Sequence, residues 1–366
     1  MHVLITTDTV GGVWTYTQEL VKALLGRGNK VTLVSFGKLP KPVQISWAES
    51  FHELDYRPTD YRLEWMEVAQ RDIEESRSYL EMVVREVQPD ILHLNQYCYS
   101  NVAPGVPRIV VAHSDVVSWW VAVHGHEPDE SPWICWYRET VTHGLDHADV
   151  VVAPSQWMLD QVRTYYTRPR AAQVIYNGRD PDLFASCELK ENIVVTAGRL
   201  WDEGKRMSLL LKCEQAVPIY VAGSLEHPHR IDSGSEKSAS RNVHFMGEQT
   251  QEQMQQLLSR SAIYAATSCY EPFGLAPLEA ALSGCALVAN DIPTFREIWE
   301  DAAVYFQRNE PDDLAAVIRK LAEDEALQRR CGSRAYQRAR ERYTAEKMVD
   351  QYEALYENVM SLARVA

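Results

Sequence analysis

Short apolar runs alternate with stretches in which apolar residues recur every three to four positions, almost from one end of the chain to the other. The runs at 3–7, 31–36, 91–95, 109–113 and 150–153 are too short and too uniformly apolar for amphipathic helices. They predict strands buried on both faces. Between them, residues 13–25 place Val13, Tyr16, Leu20, Val21 and Leu24 on one helical face, with Gly26 and Gly28 as stop signals. A long amphipathic helix is predicted over roughly 63–88 and another over about 134–147. The rhythm then restarts: strands are expected at 193–197, 218–222, 243–246, 263–266 and 286–289, with helices near 205–215, 250–260 and 276–283, and helices filling 311–363. The turn formers at 176–181 mark a boundary near 175–190. The pattern is α/β, with two successive doubly wound parallel sheets.

Open parallel sheets bind ligands beyond the carboxyl ends of their strands, and two in tandem imply a cleft between domains. Four segments fall at such ends. Gly11 and Gly12 lie between the first strand and first helix, where paired glycines let an anion approach a helix N-terminus, although a tight turn alone would also use them. They do not form a GxGxxG fingerprint, and no acidic residue ends the second strand, so a dinucleotide site is disfavoured. Gly198, Arg199 and Lys205 follow the first strand of the second half. Two cations there suit a diphosphate, against the blander reading of a solvated pair. The most specific segment runs from Glu271 through Pro272, Phe273, Gly274 and Leu275 to Glu279: strand end, Pro/Gly loop, then helix. Its two carboxylates are placed to meet different parts of one polyhydroxyl ligand, and not to act as a paired acid and base. His113, followed by Ser114 and Asp115, ends a strand of the first half, where a structural and a catalytic histidine are about equally expected.

Composition narrows the classes. The 366 residues are 46% apolar and 24% charged, an ordinary globular balance. With 37 basic against 51 acidic residues the net charge is −14, which argues against a nucleic-acid partner. Over 64–88, three arginines face seven acidic side chains, the wrong sign for docking on anionic lipid. Peripheral membrane contact stays open. No apolar run approaches the ~18 residues of a membrane span. The opening reads as a strand and not as a signal peptide, and the seven cysteines include no CxxC pair. A cytoplasmic protein with reduced thiols is expected.

These motifs, in order, resemble the retaining GT-B glycosyltransferases of family 4. The match includes Gly11–Gly12, His113, the 153–155 turn, 174–178, Gly198-Arg199-Leu200 with Lys205, Glu271 and Glu279, 280–284, 286–291 and Glu297. The resemblance implies two Rossmann-like domains facing a central cleft: 1–180 together with 345–366, whose helix crosses back to the first domain, and 181–344. It implies that Arg199 and Lys205 bind the diphosphate of a nucleotide-sugar donor and that Glu279 holds the ribose. Glu271 with the Phe273, Gly274 and Leu275 backbone would hold sugar and phosphate, His113 would approach the transferred sugar, and Gly12 would lie under the phosphates or the acceptor. Arg199 and Lys205 are six positions apart where the family has five, so Arg206 is a second candidate. Asp180-Pro181-Asp182 mimics a DxD metal motif but sits in a linker turn. It is read as structural, and no cofactor or catalytic metal is expected.

The reaction so implied is hexosyl transfer with retention, UDP-hexose first and GDP-mannose second, to a sugar, glycan or other small acceptor. Acceptor candidates are Trp14, Asn95, Asp115 and Trp119, followed by Gln96, Tyr97, Trp120 and Trp133, the tryptophans being read as lying near loops. A nucleotide-sugar epimerase and a non-catalytic nucleotide-sugar-binding protein are the competing readings.

Overall fold

The computed structural model describes residues 1–365 other than 213, 215 and 225–241. Cys213 and part of the helix expected over 205–215 therefore lie outside the described residues. The chain divides into two units, Met1–Gly178 with Ala345–Ala366, and Arg179–Thr344.

The first unit contains β1 (His2–Asp8), α1 (Gly12–Gly26), β2 (Lys30–Phe36), α2 (Pro42–Ile45), β3 (Leu54–Pro58), α3 (Gln70–Val87), β4 (Ile91–Leu94), β5 (Arg108–Val111), α4 (Val116–His124), α5 (Pro132–Asp146), β6 (Val150–Ala153), α6 (Gln156–Tyr165) and β7 (Ala172–Val174). All seven strands are parallel, in the order β3-β2-β1-β4-β5-β6-β7. The apolar runs of β1, β2, β4, β5 and β6 are buried on both faces, as the sequence pattern requires. Several features differ from expectation, and α2, α4, α6 and β7 were not among the expected elements. β3 was not anticipated, because LDYRP is a half-exposed edge strand in which charge and a terminal proline are tolerated. The helix expected from 63 begins at Gln70. Glu64 is turned inward instead, its carboxylate accepting from the backbone N–H groups of Tyr97 (2.9 Å) and Cys98 (3.0 Å). Trp119 and Trp120 lie within α4, and Trp133 in the first turn of α5, not in loops.

The second unit contains β8 (Glu191–Ala197), β9 (Ile219–Ala222), β10 (Val243–Gly247), α7 (Gln251–Arg260), β11 (Ser261–Ala266), α8 (Leu275–Leu282), β12 (Ala286–Asn290), α9 (Pro293–Trp299), β13 (Val304–Phe306), α10 (Pro311–Glu323) and α11 (Glu325–Arg342). Its sheet is again parallel, ordered β10-β9-β8-β11-β12-β13. After β8 the chain forms two short 3₁₀ turns, Glu203–Lys205 and Met207–Leu211, instead of a regular helix. Asp202 caps the first turn by accepting from the Gly204 N–H (2.9 Å), and Arg206 takes a left-handed conformation (φ 49°) between them.

The last helix, α12 (Ala345–Val365), returns to the first unit, where it packs on α1. Met348, Val349, Tyr352 and Tyr356 are buried there. Both sheets reverse strand order at an inner pair, β1/β4 and β8/β11. Such switch points open a crevice at the carboxyl ends. Among the described residues no helix is long and apolar enough to cross a membrane. Cys98, Cys135, Cys187, Cys269, Cys285 and Cys331 are free thiols.

Candidate active site

In the second unit the predicted residues converge on the β8/β11 switch point. β8 ends at Ala197, and Gly198 hydrogen-bonds through its N–H to the Ala222 carbonyl (3.0 Å) at the end of β9. A Cβ on Gly223 (φ +139°) would stand 1.8 Å from the Gly198 oxygen, so only glycine permits these two strand ends to approach. Arg199 leaves this turn half-exposed. Its Nη2 donates to Asp202 Oδ2 (2.8 Å), and its guanidinium lies 5.1 Å from the Trp201 ring centroid.

Lys205 points to the loop after β11, where its Nζ lies 2.7 Å from Glu271 Oε2. The Ser268 hydroxyl donates to the same oxygen at 3.0 Å. The backbone around the pair is tied down. Thr267 Oγ1 donates to the Lys205 carbonyl (2.7 Å), and the Cys269 N–H donates to the Gly204 carbonyl (2.8 Å). Asn290, ending β12, donates through Nδ2 to the Thr267 and Ser268 carbonyls, both at 3.2 Å. Arg206 is directed elsewhere, to the Cys269 thiol. Burial pushes that thiol's pKa up, and the nearby guanidinium partly offsets the rise. Of the two second-cation candidates, Lys205 is the one that meets Glu271.

Pro272 and Phe273 carry the loop to Gly274, which precedes α8 at φ 98°. A side chain at Gly274 would crowd Glu271 Cγ (3.2 Å) and Pro277 Cγ (3.3 Å). Phe273 is buried and meets the Tyr343 ring edge-on at 5.5 Å, while Leu275 begins the helix half-buried. One turn further, Glu279 Oε1 lies 3.0 Å from Nε of Arg179, which is buried. Arg179 was not singled out in the sequence. It follows an ordinary Asn-Gly turn, and only the fold brings it under α8. Asp180 accepts from the Asp182 N–H (3.0 Å) and caps a 3₁₀ turn, in keeping with a structural role for that acidic segment.

In the first unit, Gly11 (φ 77°) and Gly12 are exposed between β1 and α1. His113, after β5, is half-buried. Its Nε2 lies 2.7 Å from Asn95 Oδ1, and its ring meets Tyr16 edge-on at 4.6 Å. His93 of β4 is fully buried, with Nε2 3.2 Å from the same Asn95 oxygen and Nδ1 2.7 Å from the Tyr356 hydroxyl of α12. Burial lowers the pKa of both imidazoles to about 3, so both rings are neutral at neutral pH. His93 and Tyr356 escaped the sequence reading. A histidine inside an apolar strand reads as core, and its partner lies 263 positions away.

The geometry places three acceptor candidates among partners of their own. Asn95 has both ends of its amide engaged, Nδ2 donating to the Thr6 carbonyl (2.7 Å) and Oδ1 facing the two histidines. Asp115 is buried as the cap of α4, accepting from the Ser118 N–H (2.7 Å), the Ser118 hydroxyl and the Tyr166 hydroxyl (2.8 Å). Trp14 is buried against Trp47 and Tyr56. Trp119 remains half-exposed on α4. The amide of Gln96, next to Asn95, is buried with neither its oxygen nor its nitrogen hydrogen-bonded.

A family model described as Glycosyltransferase Family 4 matches residues 10–183, and one described as Glycosyl transferases group 1 matches 184–338. N-acetyl-alpha-D-glucosaminyl L-malate synthase of Bacillus anthracis is 22% identical over 96% of this chain and 95% of its own length. Among solved structures, sucrose-phosphate synthase from Thermosynechococcus elongatus superposes with a TM-score of 0.77 at 17% identity, over 99% of this chain and all of its own. Anabaena HepE in complex with UDP and glucose gives 0.74 at 17% identity, over 98% of this chain and all of its own.

Proposed function

Because the chain belongs to the GT-B glycosyltransferases of family 4 and group 1, we propose that it transfers a hexose from a nucleoside-diphosphate sugar, with UDP as the first candidate nucleotide, to a hydroxyl of a small-molecule or glycan acceptor with retention at the anomeric carbon. The observation that carries this reading is the 2.7 Å contact between Lys205 and Glu271 at the β8/β11 switch point, with Arg199 on the same rim. A diphosphate leaving group gains negative charge as the glycosidic bond breaks. Arg199 and Lys205 are fixed donors that offset it where it develops, the kind of electrostatic contribution that dominates many enzymes. Glu271, held by Lys205 and Ser268, is oriented to accept from sugar hydroxyls. Glu279, held by Arg179, is oriented toward ribose hydroxyls in the same way.

The proposed chemistry needs no metal, since the two cations supply the positive charge. A leaving phosphate oxygen takes the proton of the incoming hydroxyl, giving attack on the face the donor leaves. UDP is favoured because the similar HepE has been solved with UDP and glucose. That a relative matched over 95% of its length is an N-acetyl-alpha-D-glucosaminyl L-malate synthase supports a small hydroxylated acceptor.

The test combines donor screening with product stereochemistry. UDP-sugars are expected to raise the melting temperature more than GDP-sugars, as a ligand specific for the folded state must. Product NMR should show the donor's anomeric configuration, and turnover should survive EDTA. Lys205→Ala and Arg199→Ala should each lower kcat by about 10²–10³-fold with the fold intact. An inverted anomer, or full turnover in both variants, overturns the mechanism. An isomerised nucleotide sugar formed without acceptor would instead identify an epimerase.

A further inference from the structure

We infer that Asn95 is a positioning residue that fixes His113 in its Nε2–H tautomer, so that the ring offers ligands an acceptor nitrogen, Nδ1, and no proton. The argument starts at the Thr6 carbonyl, which can only accept. The Asn95 atom 2.7 Å from it must therefore be the amide nitrogen, and Thr17 Oγ1 at 3.4 Å is a second partner for that nitrogen. The amide is further held because the Asn95 N–H donates to Thr6 Oγ1 (3.0 Å). Oδ1 then faces away from Thr6, toward both histidines. An amide oxygen is purely an acceptor, so the His113 nitrogen 2.7 Å from it carries the hydrogen.

His93 Nε2 lies 3.2 Å from the same Oδ1 and 3.2 Å from the Tyr16 hydroxyl. Its Nδ1 lies 2.7 Å from the Tyr356 hydroxyl, a group that donates or accepts as the ring requires. The chain of contacts runs from α12 through β4 to His113 after β5. Tyr16, edge-on to His113 at 4.6 Å, packs the ring against turning over. With Nε2–H committed to Asn95, His113 receives a hydrogen bond from a ligand hydroxyl through Nδ1 and cannot act as a general acid. Its role toward a sugar or acceptor hydroxyl rests on the proposed transfer reaction, whereas the tautomer does not.

Long-range ¹H–¹⁵N correlation NMR of the full-length, histidine-labelled protein reads the tautomer directly, with His113→Gln identifying the signals. The wild type should show His113 as a single neutral Nε2–H form at pH 7. Asn95→Leu, which removes the acceptor, should let both tautomers appear and lower kcat/KM for the donor about tenfold, the scale of one lost hydrogen bond. An Nδ1–H form in the wild type overturns the inference, and that measurement requires no variant to fold. So does an unchanged single Nε2–H form in a folded Asn95→Leu protein. A protein with the expected tautomer that turns over no nucleotide sugar would overturn the proposed reaction alone.

Discussion

The two neutral histidines contribute to how the first unit responds to acid, against the buried carboxyls of Glu64 and Asp115, whose pKa values burial raises and which act in the opposite sense. His93 and His113 have pKa values near 3 in the folded chain, against an exposed value of about 6.5. Between those values the unfolded chain binds more protons than the folded one. The stability these two rings contribute therefore rises with pH across the window, and it falls as the medium is acidified from 7 toward 4. Thermal melts at half-unit pH steps should show this slope. His113→Gln, which deletes one of the two titrating groups, should make it shallower. The same burial sorts the residues singled out by motif. Lys205, Glu271 and Glu279 keep part of their surface while being oriented by partners, whereas Asp115 and Trp14 are spent on capping and packing.

At the scale of elements, the site depends on how closely strand ends approach, and Gly223 tests this most directly. Gly223→Ala puts a methyl carbon 1.8 Å from the Gly198 carbonyl oxygen, a backbone atom that no side-chain rotation can move aside. The β8–β9 ends must separate, shifting Arg199 and the turn that carries Lys205. A loss of about 3 kcal/mol or more in denaturant unfolding is expected, with donor binding weakened beyond what the lost stability accounts for. Elements buried on both faces were legible in the sequence because a parallel sheet demands uninterrupted apolar runs. Nearly every strand of that kind lies within a residue or two of its expected place. What escaped were elements whose pattern is set by neighbours. The edge strand β3 has a charged, proline-ended sequence, and α4 reads VVSWWVAVH, which suits a buried strand as well as a helix. The segment after β8 looks helical by period but is broken by the Asp202 cap and the left-handed Arg206. In the site, motif residues on loops were found. Their orienting partners were not, because Arg179, His93 and Tyr356 acquire meaning only through contacts distant in sequence.

At the scale of the whole chain, the order of residues and the order of folding units disagree. α12 follows directly on α11 of the second unit, yet it belongs to the first. There it buries Met348, Val349, Tyr352, Leu355, Tyr356 and Val359, and it supplies the hydroxyl that holds His93. Arg27 of the first unit meets Asp350 (2.7 Å) and Glu353 (2.6 Å), and Asn29 Nδ2 donates to Glu353 (2.8 Å). The ion pairs are partly solvent-exposed and contribute little. The apolar face dominates, because each fully buried large side chain contributes about 1.5–3 kcal/mol relative to exposure. Several such residues approach the 5–15 kcal/mol that holds a typical domain together. A chain ending at Thr344 should therefore lose protection in β1, β2 and β4, while the strands of the second unit, which α12 does not complete, keep theirs. Hydrogen exchange read by mass spectrometry distinguishes the two sets of peptides. Faster exchange confined to the second unit would mean that the last helix stabilises its neighbour in sequence and not the sheet it packs on.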